Sequence, residues 1–253
     1  MSLVETDWLK KNISSVKIID CSWHMPQTKR SGIEEYKNQH IPNSIFFDLD
    51  ANSKKEIDLP HMLVNQSDWE QIVSKMGVKN EDEIVIYDNS DVISSCRCWF
   101  NFIYFGHNPK LVHVLNGGLK KWIKENNEVT KNIINIQPSN YKSFEKKELV
   151  KNKKSINQNI NEQKFKVIDA RSKERFEGKV QEPRKGLRSG SIKNSFCIPF
   201  DQCLNENKTF KSKEDLKVIF ETCLENINEK NIVFSCGSGV TACVLALAYS
   251  LIN

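Results

Sequence analysis

The chain has 253 residues, 39% of them hydrophobic, and a formal net charge of +5. That suffices for one large domain or two ordinary ones with a packed core. It excludes a membrane-spanning chain, because no apolar run is long enough to cross a bilayer. It also argues against nucleic-acid binding, because the positive charge is mild and spread over lysine- and asparagine-rich stretches.

Residues 1–7 are acidic at positions 5 and 7 and lack the basic-then-apolar order of a signal peptide, so a soluble cytoplasmic protein is expected. The eight cysteines are scattered, with no CxxC pair, which predicts neither a zinc site nor any other metal or cofactor.

In chain order, Lys17-Ile18-Ile19-Asp20 reads as a buried strand ending in Asp. His40-Ile41-Pro42-Asn43-Ser44 and the apolar run to Asp50 follow. Ser67-Asp68-Trp69-Glu70 has the form of a capping box and predicts a helix reaching Met76. Ile84-Val85-Ile86-Tyr87-Asp88 is a second buried strand; a small-residue loop leads to a helix through Trp99 and Phe102. Leu111-Val112-His113-Val114-Leu115 is a further strand, and Asn116-Gly117-Gly118 turns into a helix containing Trp122. Strands alternating with helices predict α/β architecture with a parallel sheet.

The pattern then restarts. Lys166-Val167-Ile168-Asp169 echoes Lys17 to Asp20, and Ile232-Val233-Phe234-Ser235-Cys236 echoes Ile84 to Asp88, at offsets of 149 and 148 residues. Ser191 to Ser195 echoes His40 to Ser44. A constant offset over three landmarks is a tandem duplication. The expected division is a first domain over 1–138, a polar linker over 139–163 and a second domain over 164–253. The second copy stops short of any match to Leu111–Leu115 or the Trp122 helix. It should therefore have one parallel strand fewer, with Val244, Leu247 and Leu251 among the apolar side chains left uncovered.

The most informative stretch is Cys236-Gly237-Ser238-Gly239-Val240-Thr241, between a strand and a helix. The glycines allow a tight turn that aims amide N–H groups inward, and the following helix adds its positive end. A thiol so placed is poised to act as a nucleophile. In the first copy the equivalent position is Asp88, so that loop reads as structural.

Two tandem α/β domains, an Asp-bearing loop in the first and Cys-Gly-Ser-Gly-Val-Thr in the second resemble the rhodanese superfamily. Within it the chain is similar to the tandem-domain 3-mercaptopyruvate sulfurtransferases. The resemblance implies two rhodanese-like domains, each a parallel sheet flanked by helices, the second lacking its last strand and helix. It implies transfer of sulfur from 3-mercaptopyruvate through a persulfide on Cys236 to a thiol acceptor such as thioredoxin, or to cyanide, with release of pyruvate. Arg175 and Arg184 match the arginines that hold the substrate carboxylate and keto oxygen, with Gly237, Gly239, Val240 and Thr241 completing the substrate loop. Asp50, His61 and Ser238 match a proposed proton relay.

The chain departs from the family at Gly190-Ser191-Ile192-Lys193-Asn194, which replaces a Gly-His-Ile-Pro-Gly-like segment. Thiosulfate:cyanide sulfurtransferase remains an alternative, although the neutral Gly237-Ser238 suits a dianion poorly. So does a non-catalytic sulfur-carrier or binding protein. Cysteine-phosphatase chemistry needs an arginine six positions after the cysteine, where Ala242 stands.

Overall fold

The computed structural model describes residues 2–253. They form two compact units, one of residues up to Lys147 with Asn207–Thr209, the other of Glu148–Glu206 with Phe210–Asn253.

The first unit contains β1 (Leu3–Val4), α1 (Thr6–Asn12), β2 (Lys17–Asp20), α2 (Gly32–Asn38), β3 (Ser44–Phe46), α3 (Gln66–Lys75), β4 (Ile84–Tyr87), α4 (Ser95–Tyr104), β5 (Val112–Leu115) and α5 (Gly118–Lys124). Its five strands are all parallel, in the order β1-β5-β4-β2-β3. Strands β4 and β5 are buried along their whole length, as expected where helices cover both faces of a parallel sheet. Trp69 of α3 packs on the end of α4, stacked on Phe105 at 4.7 Å and edge-on to Phe102 at 5.1 Å.

The α3 start differs from the sequence expectation. Asn65 caps it, its side-chain oxygen accepting the Asp68 amide at 2.9 Å, so the helix begins at Gln66 and Ser67 is already inside it. An asparagine is at least as good an N-cap as serine, and it lies two residues upstream.

The second unit contains α6 (Lys153–Glu162), β6 (Lys166–Asp169), α7 (Lys173–Phe176), β7 (Phe196–Cys197), α8 (Lys213–Glu221), β8 (Ile232–Ser235) and α9 (Thr241–Ser250). Most of the stretch read as linker is occupied by a short 3-10 turn at Lys147–Leu149 and by α6, which Asn152 caps. The parallel order β7-β6-β8 repeats β3-β2-β4, and Lys166 to Asp169 pair with Ile232 to Ser235 as Lys17 to Asp20 pair with Ile84 to Tyr87.

This sheet has two strands fewer than the first, where the sequence predicted one. The reason is in the first unit, where β1 pairs only with β5. Without a β5 counterpart, an equivalent of β1 would have no ladder to join. Strand β8 is accordingly half-exposed along its length, unlike β4.

The expected uncovered helix is also corrected. Val244 and Leu247 are fully buried and Leu251 is half-buried. Helix α9 is apolar on nearly all sides, and it packs against β8, α8 and the 3-10 turn at Phe200–Cys203. Phe220, Phe234 and Tyr249 close that interface with ring separations of 5.1 to 6.2 Å. What the short sheet exposes is a strand edge, not the helix behind it.

Candidate active site

In the second unit, β8 delivers its C-terminal end to the Cys236 loop. The Ser235 carbonyl accepts the Ala170 amide at 2.8 Å, and the chain then leaves the sheet at Cys236. Residues 237–240 bend back into α9. Gly239 takes a φ of +77°, a conformation costly for any residue with a Cβ. The consequence is chemical, because the Gly239 N–H donates to the Cys236 Sγ at 3.1 Å. The Cys243 thiol donates to the Gly239 carbonyl at 3.1 Å and ties the loop to the first turn of α9. Ser238 sits half-buried on the same loop, Val240 is buried, and Thr241 begins the helix. Cys236 is partly exposed, whereas Cys21, Cys96, Cys98, Cys203 and Cys243 are buried.

Both predicted arginines reach this loop. Arg184 donates through Nη2 to the Gly237 carbonyl. Arg175 follows the Ser172 cap of α7, and its Nη2 lies 3.3 Å from the place a Cβ on Gly237 would occupy. Glycine at 237 therefore lets a guanidinium approach the backbone. Arg175 is itself gripped by Glu182, with Nε to Oε1 at 3.1 Å and Nη2 to Oε2 at 2.6 Å. The Glu182 carboxylate is 5% exposed and also accepts from Arg171 Nη1 at 2.8 Å. Arg171 is paired in turn with Asp169 at 2.7 Å, at the end of β6. The Arg175 hydrogen bonds hold the Glu182 carboxyl below the usual range.

In the first unit, Asp50 and His61 come together, His61 Nε2 lying 2.9 Å from Asp50 Oδ1. Trp23 Nε1 donates to the other carboxylate oxygen at 2.9 Å, and its ring meets the imidazole edge-on at 4.8 Å. The hydrogen bond to His61 holds the Asp50 carboxyl below its ordinary range. His61 has a φ of +57°, and its carbonyl accepts from the buried Arg97 guanidinium at 2.5 Å. Its Nδ1 is buried and has no partner among the described residues.

The loop equivalent to the cysteine loop holds Asp88, whose two oxygens accept the Ser90 and Ser95 amides at 2.9 and 2.7 Å. There the carboxylate occupies its own amide cradle, as a bound anion would.

Sequence reasoning missed Glu182, Arg171, Trp23 and Arg97. The available signal was Glu182-Pro183-Arg184 itself, where a carboxylate stands two positions from a candidate substrate arginine.

A model described as the Rhodanese-like domain matches twice, over residues 5–125 and 152–252. The chain belongs to the rhodanese family. Among its rhodanese relatives, the thiosulfate/3-mercaptopyruvate sulfurtransferase 1, mitochondrial, of Arabidopsis thaliana is 37% identical, over 97% of this chain and 70% of the relative. The 3-mercaptopyruvate sulfurtransferase of Mus musculus is 32% identical, over 97% of this chain and 84% of the relative. The crystal structure of SseA from Escherichia coli, described with the 3-mercaptopyruvate sulfotransferases, superposes with a TM-score of 0.89 at 29% identity, covering 100% of this chain and 94% of that one. No helix among the described residues is long and apolar enough to cross a membrane.

Proposed function

We propose that this chain is a 3-mercaptopyruvate sulfurtransferase. The observation that carries the reading is the Cys236 loop. It has no charged side chain of its own, donates the Gly239 N–H to the sulfur, and is tied by Arg184 to its Gly237 carbonyl.

In the proposed reaction the Cys236 thiolate attacks the sulfur of 3-mercaptopyruvate. The S–S bond forms as the C–S bond breaks, and the electron pair stays on carbon as pyruvate enolate, which takes a proton to become pyruvate. A thiol acceptor then attacks the outer sulfur, leaves as its persulfide and restores the Cys236 thiolate; cyanide would leave as thiocyanate. Arg184 and Arg175 would bind the carboxylate and the keto oxygen, because guanidinium groups remain charged and offer paired donors to such oxygens. Ser238, His61 and Asp50 would manage the proton. The buried, unpartnered Nδ1 of His61 supports that role, since an orphaned buried ring nitrogen costs free energy unless a working state supplies its partner.

A dithiol protein such as thioredoxin suits the acceptor step. Eight cysteines without a disulfide fit a reducing compartment, whether cytoplasmic or organellar. Thiosulfate is the second donor to consider, because the Arabidopsis relative is named for both substrates.

The test is incubation of the protein with 3-mercaptopyruvate alone. Pyruvate should appear in one equivalent, with one sulfur atom added to the peptide carrying Cys236. Pyruvate without that mass gain, or no pyruvate, would overturn the reading.

A further inference from the structure

We propose that Glu182 is a specificity-determining residue that matches the charge of the Cys236 site to a singly charged sulfur donor. The proposal rests on the donor chemistry given above and on the side-chain chain Asp169–Arg171–Glu182–Arg175.

The four groups alternate in sign and are linked by contacts of 2.6 to 2.8 Å. Two carboxylates and two guanidinium groups cancel, so Arg175 reaches the loop as a donor of hydrogen bonds but contributes almost no net field. Arg184 also reaches the loop, and it makes no ion pair among the described residues; its contact is the neutral Gly237 carbonyl. The second unit thus presents one uncompensated guanidinium at its loop, which matches one carboxylate. 3-Mercaptopyruvate carries one such charge, whereas thiosulfate carries two. Glu182 is the member that decides the sum, because it is the only carboxylate touching Arg175 among the described residues and is nearly excluded from water.

Glu182→Gln keeps the shape and removes one negative charge. At a few Å, with an effective dielectric between that of protein and water, this changes the binding of a dianion relative to a monoanion by about tenfold. The kcat/KM ratio of thiosulfate to 3-mercaptopyruvate should rise by about that factor. Glu182→Asp, which keeps the charge, should leave the ratio within about threefold of wild type. A role in folding alone would lower both donors together and leave the ratio unchanged.

A second measurement does not depend on the sulfurtransferase reading. Cys236 is alkylated with iodoacetate and with iodoacetamide, anionic and neutral reagents of similar size, and the ratio of the two rates is taken at fixed pH. Glu182→Gln should raise that ratio several-fold. The double variant Arg171→Gln with Glu182→Gln, which removes one charge of each sign and so restores the net charge of the cluster, should return it close to wild type. Unchanged ratios in both assays, or equal ratios in the single and double variants, would overturn the proposal. A wild-type protein that releases no pyruvate would instead count against the function itself, with the alkylation ratios still deciding the role of Glu182.

Discussion

The first copy of the repeated strand-end aspartate carries a pH-dependent cost that can be measured. Asp20 is 1% exposed at the end of β2 and accepts the Ser22 amide at 2.8 Å, but no cation touches it among the described residues. Burial pushes its carboxyl from 3.8 up to about 7. Its counterpart Asp169 is instead clamped by Arg171. Between those two values the folded chain holds a proton that the unfolded chain has released. Stability contributed by Asp20 is therefore greatest at acid pH, declines as pH rises toward 7, and is lowest above it. The span from 3.8 to about 7 corresponds to about 4 kcal/mol as an upper figure.

Asp20→Asn removes the charge while keeping an oxygen for the Ser22 amide. It should stabilise the first unit by about 2–4 kcal/mol at mildly alkaline pH, progressively less as pH falls below 7, and hardly at all near 3.8. All five tryptophans, Trp8, Trp23, Trp69, Trp99 and Trp122, lie in that unit, so urea unfolding followed by tryptophan fluorescence reads it alone. Parallel pH profiles for wild type and variant across the acid-to-alkaline range would refute the reasoning.

Three further outcomes follow from the site. Cys236→Ser should abolish both persulfide formation and pyruvate release, whereas Cys223→Ser, at a half-buried thiol after α8, should retain them; turnover by the first variant would remove Cys236 as nucleophile. Arg184→Leu should raise KM for 3-mercaptopyruvate at least tenfold, since a hydrogen bond to a charged group is worth about 1.5–3 kcal/mol, and steady-state kinetics matching wild type would contradict its assignment. Replacing Gly237 with Arg and Ser238 with Lys should move donor preference toward thiosulfate. The new side chain at 237 starts 3.3 Å from Arg175 Nη2, so the same variant should lose Tm, and an unchanged donor ratio would show that loop charge does not select the donor.

Much of the architecture is local in origin and so could be read from the chain. A run such as Ile84-Val85-Ile86-Tyr87 has the apolar, β-branched character that a doubly covered parallel strand requires, and its recurrence at Ile232 to Ser235 exposes the duplication. The geometry of the cysteine loop was equally legible, because only glycine adopts the φ of Gly239 cheaply and a cysteine before such a turn receives its amide. The sequence alone thus determined the two-domain α/β plan, the reactive cysteine as candidate and the two arginines near it. Tertiary structure alone decided the rest, because it depends on residues distant in sequence. No local pattern shows that β1 needs β5 as its ladder, or that α9 is covered by α8 and a 3-10 turn. Nor does it show that Asp20 lies without a cation while Asp169 is paired, or that Glu182 neutralises Arg175. Burial and charge pairing are properties of the folded neighbourhood, and identical strand-end aspartates acquire different partners from it.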